Sequence, residues 1–488
     1  MLGTLASRVT GLLRNSLLVQ LFDSGVTDAF NVAVRLPNLF RELLAEGALT
    51  NSFIPAYKTL PPREAKRLSS ALFSLLLVVN AFLLGVAVWA APVVVGFLLA
   101  ENSTVDRALT ITLTRAVFPF LGAISFAALA MGILNAEERF FAPAWAPVVL
   151  NVVTTALMLL YPQQAPMLAV AFVLGGVAQL VFQLPPLARA GLLPRLGVWW
   201  HPQLRSVLVL MVPFTFTTGA RQFLNVVSSR LLTGLPAGSV TAFSNADLFL
   251  GLALGLFSIS PALAFYSRLA AQIGSPREFR TTLLTGLRLI AFLTVPAGLL
   301  LTFYAEPAVV GVFTWLPLLG GGGMDGTTLA LSVSALTPLG LAVFPVGLST
   351  LLLRTFYVRR SVRVPVLVSV CAVALNVPLY ILLARLGVAG LSWATVMVGW
   401  AQLGALLYLV GRREHLSLRE LARDFGRVWL AALLGVVPTW GLVGALPLPE
   451  GWWGAVGTLL LGGGGGVVFY LVLCARLGVP EAARLWRR

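Results

Sequence analysis

The sequence predicts an all-α polytopic membrane protein with fourteen transmembrane helices, and three observations predict this fold class. The chain is 58% hydrophobic and only 11% charged, whereas a soluble domain carries roughly 25% charged residues. Apolar stretches near twenty residues long, enough to cross the hydrocarbon of a bilayer, recur fourteen times. Basic residues collect in every second connection between these stretches, which is typical of cytoplasmic loops.

We number the predicted spans 1 to 14 in chain order. Spans 1 to 6 cover Leu5–Phe22, Asp28–Ala56, Leu68–Leu99, Leu109–Leu134, Trp145–Tyr161 and Met167–Leu187. Spans 7 to 12 cover Val207–Leu232, Val240–Phe265, Leu283–Tyr304, Thr328–Phe356, Val364–Leu383 and Leu391–Val410. Spans 13 and 14 cover Val428–Leu446 and Trp452–Leu473.

A break at Pro194–Pro202 separates the first six spans from the next six. Transporters built from two repeated halves have this arrangement. We therefore expect two six-helix lobes, an N-lobe at 1–196 and a C-lobe at 197–411, followed by two C-terminal helices at 412–488.

The basic residues test the number of spans independently. Of the 34 Lys and Arg, 25 fall in the C-terminal tail, in the connections after even-numbered spans or at the span ends that border these connections, and the connections after odd-numbered spans contain only Arg107 and Arg385. An error of one span would put the later basic loops on the wrong side of the membrane. We therefore expect fourteen spans with both termini in the cytoplasm. The net charge of +16 then reflects topology, and we expect no nucleic-acid partner.

The seven remaining arginines lie within or at the ends of the predicted spans, where each guanidinium costs at least a few kcal/mol unless it faces protein, water or an anion. They are Arg8, Arg14, Arg35, Arg41, Arg115, Arg221 and Arg230. Residues six apart on a helix differ by about 9 Å in depth and about 120° in rotation. The pairs Arg8/Arg14 and Arg35/Arg41 can therefore line one wide cavity at two depths.

Spans 1 and 2 contain more buried base than acid, which predicts an anionic ligand. The alternative for any one arginine is that it extends to a membrane interface or pairs with Asp28, Glu42 or Glu46. Pro37 removes a backbone donor within span 2, which predicts a bend between Arg35 and Arg41 that can serve as a gate hinge.

Enzyme chemistry is poorly supported. The two histidines, His201 and His415, lie in predicted loops without a neighbouring cysteine or paired acid, and the two cysteines give no disulfide or thiolate pattern. We expect no enzyme activity, no cofactor and no resident metal. A membrane transferase that uses Glu42 with Glu46 is the enzyme alternative.

The glycine runs Gly320–Gly323 and Gly462–Gly466 lack the residues of a phosphate loop. The first run predicts a flexible outer loop, and the second predicts a site where helices pack closely.

Several runs in the first 57 residues carry a family resemblance. They are Ser7-Arg8-Val9-Thr10-Gly11-Leu12-Leu13-Arg14, Thr27-Asp28-Ala29-Phe30, Leu36-Pro37-Asn38-Leu39-Phe40-Arg41 and Ala45-Glu46-Gly47-Ala48. This block closely resembles the start of the MurJ (MviN) lipid II flippases of the multidrug/oligosaccharidyl-lipid/polysaccharide exporter superfamily. The fourteen-span plan extends the resemblance over the whole chain.

The resemblance implies that the chain moves lipid II, an undecaprenyl-pyrophosphate-linked peptidoglycan precursor, to the outer leaflet of the bacterial inner membrane by alternating access. The family's cavity arginines correspond to Arg8, Arg14 and Arg41, with Arg35 at a basic position and Asp28 at an acidic one. Pro37 and Gly47 are implied as gate or hinge residues, and spans 13 and 14 as a groove for the lipid tail.

This chain departs from the family pattern at two places. Leu248 replaces an arginine on span 8 that is important for transport in relatives, and Arg221 or Arg230 is a candidate for a compensating cavity charge. Of the sodium site of some relatives, only Asn376 and Thr395 remain as weak candidates.

The alternatives are an exporter of another polyprenyl-linked glycan and a non-transporting membrane scaffold that binds the precursor. A drug or cation antiporter of the same superfamily fits less well, because a cationic substrate requires carboxylates in the cavity. We expect a monomer, with lipid II and membrane lipids as its partners.

Overall fold

The computed structural model describes residues 2–44, 48–320, 322–359, 361 and 363–482, without the side chains of 2, 4, 43, 44, 48–51 and 212–221. All regular secondary structure in these ranges is helical. The described chain divides into two compact units, Met1–Thr241 with Gly320–Asp325, and Ala242–Leu319 with Gly326–Arg488.

The first unit contains ten helices and the beginning of an eleventh. They are α1 (Leu2–Leu21), α2 (Ser24–Ala33), α3 (Arg35–Leu44), α4 (Ala48–Lys58), α5 (Pro62–Leu98), α6 (Arg107–Val117), α7 (Pro119–Ala136), α8 (Phe141–Leu160), α9 (Ala165–Arg189) and α10 (Pro202–Thr233). Predicted span 2 therefore contains α2, α3 and α4, with an interruption at Val34 and with residues 45–47 outside the described ranges. Predicted span 4 is two helices, α6 and α7.

Pro37 explains the first interruption of span 2. A proline donates no hydrogen bond to the carbonyl four residues earlier and its ring clashes with that carbonyl. The affected carbonyl belongs to Ala33, where α2 ends, and Val34 forms a turn before α3. The bend thus precedes Arg35 and does not fall between Arg35 and Arg41 as the sequence analysis expected. Gly47, the other predicted hinge residue, lies outside the described residues.

The second unit contains most of α11 (Ser239–Leu254) and ten further helices. They are α12 (Ser260–Ala271), α13 (Pro276–Phe303), α14 (Ala305–Phe313), α15 (Gly326–Leu339), α16 (Val343–Val358), α17 (Arg363–Leu383), α18 (Val388–Arg413), α19 (Leu418–Gly444), α20 (Trp452–Thr458) and α21 (Gly464–Arg476). Single π-helical turns at Gly255–Ile259 and Leu459–Gly463 join α11 to α12 and α20 to α21.

Eleven helices of the described chain are long and apolar enough to cross a membrane, so the chain is a multi-pass membrane protein. Predicted spans 1, 2 and 7 are not among the eleven. Helices α1 and α10 have sufficient length, at 20 and 32 residues, and span 2 is interrupted. These are the three predicted spans that contain Arg8, Arg14, Arg35, Arg41, Arg221 and Arg230.

Contacts between connections in the first unit follow the predicted alternation. Lys66, after span 2, donates from Nζ to the carbonyl of Gly191, after span 6, at 2.6 Å. At the other end, the amide of Thr104, after span 3, donates to the carbonyl of Thr233, after span 7, at 3.1 Å. Connections after even-numbered spans therefore meet one another, as do those after odd-numbered spans.

The same pattern holds within the second unit. Arg359, after span 10, pairs through Nη2 with Oε2 of Glu414, after span 12, at 2.7 Å. Trp452, which follows span 13, donates from Nε1 to the carbonyl of Gly311, after span 9, at 2.9 Å. Each unit thus gathers its basic connections at one end.

The division into units differs from the predicted lobes. It falls between Thr241 and Ala242, inside α11, and not near residue 196. Helix α10 packs against α3, α4 and α5 and so belongs with the first six spans. The segment Gly320–Asp325 also belongs to the first unit, and a Cβ on Gly322 would lie 2.6 Å from the carbonyl oxygen of Gln20. The predicted flexible loop is therefore closely packed at this glycine.

Glycines bring the last helices of the second unit into close contact. A Cβ on Gly435 of α19 would lie 2.8 Å from the amide nitrogen of Tyr470 and 3.0 Å from the carbonyl oxygen of Gly466, both on α21. A Cβ on Gly462 would lie 2.6 Å from the ring of Tyr304. The predicted packing role of the second glycine run is confirmed at Gly462 and Gly466.

Replacing Gly435 with Val should lower the thermal stability of the full chain in detergent. The added atoms meet backbone that cannot move aside, and overpacking of this kind costs about 1–3 kcal/mol. Gly441→Val on the same helix is the control, because a Cβ there meets nothing within 4 Å. Equal melting temperatures of the two variants would contradict the packing role.

Candidate functional site

Arg14 on α1 is the best-defined guanidinium of the first unit. Its Nη1 donates to Oδ1 of Asn151 at 3.0 Å, and its Nη2 donates to Oδ1 of Asn15 at 3.1 Å. Its Nε is buried and has no hydrogen-bond partner. Within the described part of the chain, no carboxylate pairs with this guanidinium. Arg14 therefore keeps its full positive charge while two neutral amides hold it in place.

Hydrogen bonds to α1 fix the side chain of Asn151, on α8, in the orientation that lets its amide oxygen accept from Arg14. Its Nδ2 donates to the carbonyl of Ser7 and to Oγ1 of Thr10, both at 3.1 Å. Thr10 in turn donates from Oγ1 to the carbonyl of Ala6 at 2.8 Å. Because both Nδ2 hydrogens are used on α1, the amide oxygen of Asn151 faces Arg14.

An aromatic cluster supports the other side of the guanidinium. The Cζ atom of Arg14 lies 4.9 Å from the centroid of the Phe172 ring on α9. That ring packs against Phe30 of α2 and Phe120 of α7, with centroid separations of 4.7 and 6.3 Å. A cation over an aromatic face is attracted by the ring quadrupole without being neutralised, so Phe172 positions the charge and leaves it available.

Burial disfavours the charge of Arg14, and the positive charge of Arg41 on α3 adds like-charge repulsion. Arg8 is half-buried on α1, and Arg35 is half-buried at the beginning of α3. Each of the pairs Arg8/Arg14 and Arg35/Arg41 lies on one uninterrupted helix. The two arginines of each pair are therefore separated by about 9 Å along the axis of their helix.

Asp28 on α2 has a different environment from the arginines, because it is 2% exposed and surrounded by donors. Its Oδ2 accepts from the amide of Gly238 at 2.7 Å. Its Oδ1 accepts from the amide and the hydroxyl of Thr241, at 2.8 and 2.6 Å. These groups belong to the first turn of α11, whose amides have no intrahelical acceptor. Asp28 thus caps this helix, and both of its oxygens are used by protein donors.

The other arginines of the predicted spans have structural contacts. Arg230 donates from Nη1 to the carbonyl of Phe97, at the end of α5, at 2.7 Å, and lies over the Phe97 ring. Arg115 donates from Nε to the carbonyl of Val88 at 3.0 Å. Both guanidinium groups are thus bound by backbone carbonyls of α5. The side chain of Arg221 lies outside the described residues.

The residues proposed for a sodium site make contacts of their own. Oγ1 of Thr395 lies 3.1 Å from Oη of Tyr380 and donates to the carbonyl of Leu391. Oδ1 of Asn376 is buried without a hydrogen-bond partner. Among the described residues there is no group of three or more His, Cys, Asp and Glu that can hold a metal ion.

His201, one of the two histidines, has a structural role at the beginning of α10. Its Nδ1 accepts from the amide of Gln203 at 3.1 Å, and its Nε2 lies 3.2 Å from Oε2 of Glu64. Leu248, at the position where the resemblance implies an arginine, is half-buried on α11.

Sequence reasoning identified Arg8, Arg14, Arg35 and Arg41 from their charge but missed Asn151 and Phe172. The two missed residues lie on distant helices, 137 residues from Arg14 in the case of Asn151. A buried Asn within an apolar span was the available signal, since a polar side chain there needs a partner.

Comparisons with known proteins agree on one family. The family model described as lipid II flippase MurJ matches residues 19–446. The lipid II flippase MurJ of Burkholderia cenocepacia is 31% identical over 84% of this chain and 82% of its own length. A solved structure of lipid II flippase MurJ in an inward closed conformation has a TM-score of 0.81 and 20% identity, covering 97% of both chains.

A multidrug resistance transporter of the MATE family, solved in an inward-facing conformation, is also similar in fold. Its TM-score is 0.69 at 16% identity, over 85% of this chain and 96% of that one. At this identity the likeness concerns the fold alone.

Replacing Asp28 with Asn should destabilise the full chain by about 1–3 kcal/mol, because one of the two acceptor oxygens becomes an NH₂ group that faces a backbone donor. Asp23→Asn is the control, since Asp23 is exposed and its side chain makes no cap hydrogen bond. Thermal unfolding in detergent measures both. Equal loss of stability in the two variants would exclude the capping role.

Proposed function

Because this chain belongs to the lipid II flippase MurJ family, we propose that it moves lipid II from the cytoplasmic to the outer leaflet of a bacterial inner membrane. The family match covers most of the chain, and the fold resembles both a MurJ and a MATE transporter. Transport proceeds by alternating access, in which a central cavity opens first to one side of the membrane and then to the other.

The observation that carries the binding proposal is the environment of Arg14. A guanidinium in a membrane-spanning unit is costly unless a counter-charge or water compensates it. Here amide oxygens and an aromatic face position the charge, and no carboxylate of the described chain pairs with it. A pyrophosphate supplies the missing negative charge and can accept two parallel hydrogen bonds from one guanidinium.

We propose that Arg8, Arg35 and Arg41 complete the binding site. Arg8 lies on α1 together with Arg14, Arg35 and Arg41 lie on α3, and the charge of Arg41 acts on Arg14 electrostatically. An elongated anion that contacts charges at two depths suits a pyrophosphate with its attached sugar. Asp28 acts indirectly in this proposal, because it holds the first turn of α11 and contacts no substrate.

The proposed topology has fourteen crossings with both termini in the cytoplasm. It is supported by the basic connections, which meet at one end of each unit through contacts such as Lys66 with Gly191 and Arg359 with Glu414. The six-helix lobes 1–196 and 197–411 are proposed as the parts that rock during transport, with Pro37 and Gly47 at the gate. This motion requires α10 to leave its contacts with α3, α4 and α5. The helices in 412–488 are proposed as the groove for the polyprenyl tail. We propose a monomer without a sodium requirement.

Two alternatives predict different behaviour in reconstituted vesicles. An exporter of another polyprenyl-linked glycan would flip its own precursor and bind lipid II weakly. A scaffold would bind lipid II without changing its leaflet. The absence of the span 8 arginine, where the chain has Leu248, is the feature that favours the first alternative. Direct comparison of lipid-linked precursors in one flipping assay separates the three functions.

Replacing Arg14 with Ala should reduce lipid II binding by about tenfold or more, because a hydrogen-bonded charge pair contributes about 1.5–3 kcal/mol. Arg14→Lys should lose part of the affinity, since an ammonium keeps the charge without the planar fork. Binding is measured with purified full chain by native mass spectrometry, and transport by the loss of labelled lipid II from the inner leaflet of vesicles.

The control for Arg14→Ala is Arg107→Ala, which removes an exposed guanidinium of the same unit whose nearest acceptor is the Pro92 carbonyl at 3.4 Å. Arg41→Ala should behave like Arg14→Ala. Normal flipping by Arg14→Ala and Arg41→Ala, in cells depleted of their own flippase or in vesicles, would refute the proposed site.

Replacing Asn151 with Asp should weaken lipid II binding even though every arginine remains. The new carboxylate lies within 3.0 Å of Arg14 Nη1 and competes with the pyrophosphate for the same charge. Asn151→Ser is the matched variant, because it removes the amide without adding charge. If Asn151 were merely structural, the two variants would lose affinity equally.

A further inference from the structure

A cavity of about 760 Å³ lies in the first unit, away from the arginines of α1 and α3. Its walls are formed by the α7–α8 connection, Glu138–Ala142, and by the residues of α9 between Val181 and Arg189. This end of the unit contains the connections after spans 2, 4 and 6. The exposed Trp199 and Trp200 follow α9 at the same end, and exposed tryptophans are typical of a membrane–water interface.

The charge of the cavity is positive. Arg139 and Arg189 line it, and within the described part of the chain neither side chain makes an ion pair or a hydrogen bond. Glu138, the one acid among the described residues of the wall, is already paired with Lys58 at 3.2 Å. Two guanidinium groups therefore face the cavity without a counter-charge, which favours a phosphate group.

The rest of the wall is apolar and exposed. Phe140, Phe141 and Val181 are 60%, 71% and 52% exposed, and Phe182 and two prolines also line the cavity. Contiguous exposed apolar surface beside a charged cavity marks a site for a molecule with both polar and hydrocarbon parts. Among the described residues that line this cavity there is no serine, threonine, asparagine or glutamine, and these are the groups that would bind a disaccharide-peptide.

The backbone adds acceptors to the same wall. Pro185 and Pro186 lie inside α9 and carry no N–H, so the carbonyls of Val181 and Phe182 receive no hydrogen bond from the residues four positions later. A headgroup that carries hydroxyl donors can satisfy such carbonyls. The cavity thus offers cations for a phosphate and acceptors for hydroxyl groups.

The turn that presents Arg139 is conformationally strained. Glu138 has φ 59°, a left-handed conformation that costs a non-glycine residue roughly 1–2 kcal/mol. The amide of Arg139 donates to the carbonyl of Leu134 at 2.8 Å, which closes the end of α7 as a Schellman motif. This motif fixes the position of Arg139 in the wall of the cavity.

We propose that this cavity binds one anionic glycerophospholipid, with its phosphodiester on Arg139 and Arg189 and its acyl chains along Phe140, Phe141 and Val181. With the topology proposed above, the lipid belongs to the cytoplasmic leaflet. This site is separate from the transport site and takes a resident membrane lipid, not the flipped precursor. Phosphatidylglycerol has the required phosphate and two headgroup hydroxyls.

The test is native mass spectrometry of the full chain in detergent with added phosphatidylglycerol. The variant Arg139→Gln/Arg189→Gln should bind it at least tenfold more weakly than the wild type. The control Arg63→Gln/Arg205→Gln removes two exposed arginines that do not line the cavity and should bind normally. Equal binding by the wild type and the Arg139/Arg189 variant would overturn the proposal.

Two further arms identify the ligand class. Phosphatidylcholine, which lacks both the net charge and the headgroup donors, should bind at least tenfold more weakly than phosphatidylglycerol. Val181→Trp fills the apolar wall with both arginines intact and should also weaken binding. If Val181→Trp bound normally and soluble glycerol 1-phosphate competed as well as the lipid, the site would be a phosphate site and the lipid proposal would fail.

Melting temperatures establish that each variant is folded. The binding measurement contains no lipid II, so its outcome is independent of the proposed transport function.

Discussion

The architecture of the first unit depends on how a permanently charged guanidinium is held in a membrane-spanning segment. Arg14 could be stabilised by an acid, but a buried ion pair would cancel the charge and leave little attraction for a ligand. The chain uses the amide oxygens of Asn151 and Asn15 and the ring of Phe172 instead. Neutral acceptors compensate part of the desolvation cost without removing the charge. This arrangement requires α1, α8 and α9 to pack together, so the position of the Arg14 charge depends on the packing of these three helices.

A second constraint is that backbone donors and acceptors in lipid must be satisfied within the protein. Asp28 provides this for the first turn of α11, where Gly238 and Thr241 donate to its two oxygens. Pro37 has the opposite effect, because it leaves the carbonyl of Ala33 without its usual donor and ends α2. Breaks and caps thus occur in the same segment that carries Arg35 and Arg41, which gives these arginines positions that one straight helix would not allow.

The sequence predicted the parts that depend on local pattern. Apolar runs located α5, α8 and α9 to within a few residues at their apolar ends, but α5 begins at Pro62, six residues before predicted span 3, because its first turns are charged and hydropathy does not detect them. Charge in apolar runs identified Arg14 and Arg41. The partners of Arg14 could not be predicted, since the contact with Asn151 joins residues 137 positions apart. Asp28 was named as a substrate residue because the family resemblance implies an acid at this position; only the fold brings Gly238 and Thr241 to it.

The like-charge repulsion between Arg41 and Arg14 bears on how a ligand can drive a conformational cycle. A ligand shifts an equilibrium only by the difference in its affinity for the two states. An anion bound to both guanidinium groups gains most in a state that keeps them close, and the same state is the most costly one when the site is empty. Any movement that separates Arg14 from Arg41, or admits water to them, therefore both stabilises the empty protein and weakens anion binding.

If the cavity also moves its positive charge through the membrane field, an inside-negative potential contributes about 2.3 kcal/mol per charge per 100 mV. That contribution favours the inward return of the empty cavity, whereas a bound pyrophosphate cancels the charge and removes the bias.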